Sequence, residues 1–233
     1  MHRFDDHDDH HATVNSRQLD EIVDILDPHH YVPLSADWRN MAGEGDHLYW
    51  TLTVDDGLAS DWRLAEFCDA RGLKLTTFVS PQLVGRPGYL SWYEIGNLQR
   101  CGHLIGSHGL NHIRLGNLGQ AELQREILES KSQLEDRLGV TVTKFAYPGG
   151  VQNWRVRRAV LQAGYFEAFS TTQCLVHEHG PRLAIPRITL QANSSRQVIM
   201  DQLKRRRLGI GEHLLREPVR LAKQTYARAK GIY

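Results

Sequence analysis

"LYWTLTVDDG", residues 48–57, is a run of apolar and β-branched side chains that closes on two adjacent aspartates and a glycine. It reads as a strand ending in a turn, because such side chains suit a pleated, half-buried surface and Asp-Gly suits the reversal after it. From this point short apolar runs alternate with helical patterns. Strands are predicted over 48–54, 74–79, 103–107, 143–147, 166–171 and 184–190, with the clearest helix over 119–138. In that helix Leu123, Ile127, Leu134 and Leu138 share one stripe, Lys131 and Glu135 stand one turn apart, and Gly139 is placed to stop it. Strands and helices in strict alternation predict βαβ units and an α/β fold with a largely parallel sheet.

The flanks differ from this middle. Residues 1–18 are polar, rich in Asp and His and without periodicity, so a disordered leader is expected there. A short helix is predicted in "SRQLDEIVDILD", where Leu19, Ile22, Val23 and Leu26 lie on one face and Pro28 follows. No linker divides the residues between there and 208, which are read as one domain over 19–208. Residues 209–233 read as an amphipathic C-terminal helix, basic in character, with Pro218 as a kink. Peripheral contact of that helix with an anionic membrane surface is one expectation, and packing on the domain is the plainer one.

The chain has 233 residues, a formal net charge of +1, 41% hydrophobic and 24% charged residues, which is the profile of a compact folded protein. Cys68, Cys101 and Cys174 are odd in number and lack paired spacing, so reduced thiols are expected, with neither a disulfide framework nor a thiolate zinc site. No apolar run has the length of a membrane span, and no signal-type segment opens the chain, so the expected location is cytoplasmic or at the inner membrane face.

Three polar clusters end successive predicted strands. Asp55 and Asp56 close the first; alone, they are ordinary turn material. "SHGLNH" places His108 and His112 four residues apart, close enough for both imidazoles to share a cation, although most such pairs are structural. "FAYPGG" ends a third strand in Pro148, Gly149 and Gly150, a loop whose backbone can approach a ligand and aim an N–H group at it. Carboxyl ends of parallel strands converge on one face in α/β barrels, so carboxylates, imidazoles and glycine loop are expected to meet.

The ordered set "TVDDG", "SHGLNH", "FAYPGG", with "ESKSQLEDRLG" before the third and "AGYFEAFSTT" after it, resembles the NodB-type polysaccharide deacetylases of carbohydrate esterase family four, over roughly residues 48–203. The resemblance implies a distorted TIM-like (β/α)7 barrel and a metal-dependent hydrolase that removes an N-acetyl group from an amino sugar in a polysaccharide, oligosaccharide or lipid-linked glycan. It implies a divalent metal, zinc foremost and cobalt, nickel or manganese as alternatives, held by Asp56, His108 and His112. Asp55 becomes the general base, and Tyr147, Pro148 and Gly149 line the oxyanion and substrate side. The implied partner is a carbohydrate and not a nucleic acid.

This chain departs from the commoner pattern in three places. Val54 stands where Phe is usual. Ala146 stands where an Arg often contacts the catalytic aspartate, and Arg187 in "AIPRITL" is the expected substitute. The late motif that carries the general acid is not visible, which leaves His177 and His179 as the nearest late histidines for that role. Two other readings use the same residues: a deformylase or related amide hydrolase, and a carbohydrate-binding relative that has lost catalysis.

Overall fold

The structure is a computed structural model that describes residues 3–4, 13–26, 31–34, 49–173 and 180–191, with Gln197, Met200 and Asp201. The compact unit spans Met1–Ser194. His177, His179, Cys174 and the predicted C-terminal helix over 209–233 lie outside the described residues.

At the centre is a five-stranded sheet in which every pairing is parallel and the strands follow one another in chain order, β3 (Leu52–Asp56), β4 (Leu75–Val79), β5 (Leu104–Ser107), β6 (Lys144–Ala146) and β7 (Glu167–Phe169). A sheet that always grows on the same edge curls, and it forms the α/β half-barrel. The crossovers are α2 (Ser60–Asp69), α3 (Trp92–Arg100), α4 (Gln120–Leu138) and α5 (Trp154–Gln162). β4, "LTTFV", is buried at every position, as a parallel strand covered on both faces must be.

Local signals account for the helix ends. Ser91 and Glu94 form a capping box at the start of α3. Asn153 accepts from Val156 N at the start of α5. Gly139 closes α4 in the left-handed region at φ 67°.

Five predicted strands appear within a few residues of their expected positions, and β3 extends through the aspartate pair. The sixth, over 184–190, is reduced to a parallel bridge between Ile185 and Phe169, in which Ile185 N–H donates to Ala168 O and Ser170 N–H to Ile185 O; two residues on, Arg187 N–H donates to Thr172 O, out of that register. Within the leader, two short strands form ahead of the helix that begins at Ser16. Arg3–Phe4 (β1) and Thr13–Val14 (β2) pair in parallel, and Phe4 and Val14 are buried. Phe4 lies against Phe67 of α2 at 5.6 Å, so the two apolar positions in a polar stretch were its structural signal. α1 (Ser16–Leu26) buries Leu19, Ile22 and Val23 as its periodicity predicts. Of the thiols, Cys68 is free and buried, which pushes its pKa up to about 12, whereas Cys101 is free and exposed. Among the described residues no helix is long and apolar enough to cross a membrane.

Candidate active site

The register places the ends of β3, β4 and β5 level, with Asp56 opposite Val79 and Val79 opposite Ser107. His108 follows β5 directly and is pinned from both sides. Its N–H donates to Val79 O, its carbonyl accepts from Ser80 Oγ at 2.9 Å, and its Nδ1 lies 2.8 Å from Ala146 O at the end of β6. A carbonyl oxygen can only accept, so Nδ1 carries the proton and the Nε2 lone pair points the other way.

What it points toward is Asp56. His108 Nε2 lies 3.4 Å and His112 Nε2 3.0 Å from Asp56 Oδ1, and one ligand atom from each of the three residues falls within 4.8 Å of the others. A lone pair facing a carboxylate oxygen at that separation is repulsive unless something positive lies between. Asp56 also draws the His112 pKa upward, through their hydrogen bond first and against the effect of burial. The set therefore attracts positive charge, and its donor atoms, one carboxylate and two imidazoles with one ring held by a backbone carbonyl, fit a divalent cation. Exposure rises from His108 at 1% through Asp56 at 19% to His112 at 38%, which leaves one side open to solvent. Asp56 at φ 82° and His112 at φ 58° are the two non-glycine residues with positive φ among those described, and such strain gathers where side chains must be aimed.

Asp55 faces the opposite way along the pleat and is buried. Burial by itself would raise its pKa, but the Arg187 guanidinium overrides this and holds the carboxyl well below the usual carboxylate range. Arg187 grips both oxygens, Nη1 to Oδ1 at 2.6 Å and Nη2 to Oδ2 at 2.7 Å. Its Nε donates to Ser170 O, and its guanidinium lies 5.6 Å from the Phe78 ring and 5.9 Å from that of Phe169. Its backbone N–H donates to Thr172 O, so the residue is anchored beyond the end of β7 while its side chain reaches across to β3.

The loop after β6 carries Pro148, which is buried, and Gly149 and Gly150 at φ 63° and 69°. Only glycine fits at 150, since a Cβ there would sit 1.9 Å from Thr171 Oγ1. Tyr147 stands at the start of this loop. Its ring is buried, its hydroxyl donates to Leu183 O at 2.8 Å and its N–H to Phe169 O, so both of its donors are committed to the fold. Among the described residues no third imidazole reaches this end; His103 is buried at the opposite end beside Leu75.

Sequence reading missed two buried acids. Glu126 of α4 accepts from Leu110 N, Asn111 N and Asn111 Nδ2, inside the loop that joins His108 to His112. Asp61 of α2 accepts from Thr77 Oγ1 at 2.7 Å. For Glu126 a signal existed: it lies on the apolar stripe of α4, one turn from Leu123.

A half-barrel with an aspartate and two histidines at the carboxyl ends of its first and third strands carries its site where parallel α/β proteins place their chemistry. The family model for polysaccharide deacetylases matches residues 42–168, more than half of the chain, and the chain belongs to that family. Over 115 residues it is 26% identical to YxkH, a Bacillus subtilis (strain 168) protein that bears the polysaccharide deacetylase name, covering 49% of this chain but only 41% of that protein. In fold it is similar to a Streptococcus pyogenes deacetylase solved with acetate, at TM-score 0.77 and 18% identity over 87% of this chain and 95% of that one. A polysaccharide deacetylase from Bacillus cereus gives TM-score 0.76 and 19% identity over 87% of this chain and 66% of the other.

Proposed function

We propose that the protein is a metal-dependent N-deacetylase acting on an N-acetylated amino sugar within a polysaccharide, oligosaccharide or lipid-linked glycan. The observation that carries this reading is the meeting of Asp56, His108 and His112 within 4.8 Å, beside a second aspartate gripped by Arg187. Asp56, His108 and His112 would hold the divalent metal, with zinc the first candidate for this donor set. When bound, such an ion polarises an amide carbonyl and lowers the pKa of a neighbouring water.

The chain's own residues do the rest. Asp55, kept ionised by Arg187, takes the proton from the attacking water as general base. Arg187 fixes both carboxylate oxygens, so the base cannot rotate away from its task. Gly149, free of a side chain and in the left-handed region, is the proposed donor of a backbone N–H to the developing oxyanion. His177 or His179 remains the proposed donor to the leaving amine.

The reading is tested by measuring bound metal and acetate release from N-acetylglucosamine oligomers with wild type and Asp55→Asn. The expected result is about one equivalent of metal in both and a rate lower by about 10²–10⁴-fold in the variant. Metal binding without amide hydrolysis on any N-acylated sugar would sink the enzymatic reading and favour the carbohydrate-binding one.

A further inference from the structure

We infer that Glu126 is a positioning residue for the metal site: its carboxylate, reaching from α4, sets the path of the 109–111 loop and so places His112 against Asp56 and His108. This rests on the metal reading of that site.

Glu126 is fully buried, and among the described residues no lysine, arginine or histidine forms an ion pair with it. A carboxylate in that position is costly unless its oxygens are satisfied, and here its partners among the described residues lie in one short segment. Oε2 accepts from Leu110 N at 3.1 Å and Asn111 N at 3.0 Å, and Oε1 from Asn111 Nδ2 at 2.6 Å. Two successive backbone N–H groups converging on one oxygen fix the local chain direction more tightly than a single contact does.

The segment needs such a hold. It begins at Gly109, φ 75°, and ends at His112, φ 58°, so the chain passes twice through the left-handed region in four residues. For a histidine that conformation persists only when the surroundings impose it. His108 has independent anchors in Val79, Ser80 and Ala146, whereas His112 is more than a third exposed. Its placement depends on the three residues before it, and Glu126 binds two of those. The position of Glu126 fits the same purpose, since a Cβ at Gly109 would approach both Pro148 and Glu126 Oε2, which puts the carboxylate under the turn between the ligand loop and the glycine loop.

The test uses the full chain and its affinity for zinc, read by chelator competition well below the melting temperature, with the visible spectrum of the cobalt form as a measure of ligand geometry. Glu126→Leu removes all three bonds at similar volume and is expected to bind zinc about ten- to a hundredfold more weakly, the usual range for losing a group that orients a ligand. Glu126→Gln, which keeps one acceptor oxygen for the two N–H groups, should fall between it and wild type, by about two- to tenfold. Glu122→Gln, exposed on the same helix, should bind as wild type does. Wild-type zinc affinity and cobalt spectrum in folded Glu126→Leu overturn the inference, and if that variant does not fold, the same result in Glu126→Gln overturns it. A loss shared by Glu122→Gln overturns it as well. Wild-type protein that binds neither ion overturns this inference together with the proposed function, whereas wild-type binding that the Glu126 variants match overturns this inference alone.

Discussion

The two ends of one parallel sheet treat buried charge in opposite ways. At the amino ends of the strands, Lys144 and Glu167 open β6 and β7 in register and form an ion pair at 2.5 Å, both nearly shielded from solvent. His103, just before β5, accepts from Leu75 N through Nδ1 and faces Asp69 through Nε2, so its tautomer and both nitrogens are accounted for. At the carboxyl ends, Asp56 and the Nε2 lone pair of His108 face each other with His112, and the set is completed only by a proton or a cation. Charges that complete one another hold the fold together; charges that converge on a shared gap are a site. That division matches the general division of labour in barrels between a stabilising amino face and a reactive carboxyl face.

The comparison breaks most visibly if a ligand is removed at the carboxyl end. His112→Ala is expected to leave the fold intact, since His112 is partly exposed, and to lower zinc affinity by more than about a hundredfold, the upper range for losing a group one step further out. Retention of stoichiometric zinc in this variant after dialysis would show that the three donors do not act as a set.

Arg187→Met is the next largest effect. It strands Asp55 as a buried charge without its partner, and breaking such a pair costs about 3–5 kcal/mol. The pH dependence follows from the direction of the shift. Arg187 lowers the Asp55 pKa in the folded state, so the stabilisation is fully present above the ordinary carboxylate value of about 3.9 and is lost as pH falls through the lower folded value. The stability gap between wild type and variant should therefore narrow at acid pH, and the acid limb of kcat/KM should move upward in the variant because its base protonates earlier. Denaturant melts from pH 2 to 8 check the first, and rate profiles the second; a gap independent of pH contradicts the assignment.

Lys144→Met sharpens the contrast from the other end. It too should cost about 3–5 kcal/mol by stranding Glu167, and Lys144→Met with Glu167→Met should recover most of that loss. Neither variant should change zinc content or the rate per folded molecule at a temperature where it is folded. Loss of activity beyond loss of folded protein would mean that the two ends are not separable.

Periodicity and turn chemistry made most of this frame legible in the sequence. The strand runs, the stripe of α4 and the stop at Gly139 report local preferences that the sheet only reinforces, which is why β4 through β7 fall where expected. That Asp56, His108 and His112 would meet was legible because three separate turn clusters end successive strands, while their selection as one ligand set came from the family resemblance. The bonding of Tyr147 was not, since Leu183 and Phe169, remote in sequence, take both its donors. Glu126 and Asp61 were missed for a related reason: an acid in a helix reads as solvent-facing, and only the packed tertiary structure shows that it turns inward.

Asp61 gives the smallest predicted effect and the one most specific to its surroundings. It is fully buried in the first turn of α2, with Thr77 Oγ1 as donor to one oxygen. Burial pushes its pKa well above the usual carboxylate range, further than the Thr77 bond can restore, with the charges of Asp56 and Asp55 adding to the rise. A raised folded pKa makes the sign the reverse of that for Asp55. Below the unfolded value of about 3.9 the group is protonated in both states and costs nothing, whereas at higher pH unfolding lets it ionise, so stability falls by up to about 1.4 kcal/mol per pH unit until the folded pKa is reached. Asp61→Asn keeps an oxygen for Thr77 and abolishes the ionisation. The variant should equal wild type near pH 4 and exceed it by about 0.5–2 kcal/mol at pH 7, within the range a single relieved group provides. Denaturant melts at the two values decide it, and a difference that stays constant with pH would mean that the carboxyl titrates alike in the folded and unfolded chains, so that burial does not hold it protonated.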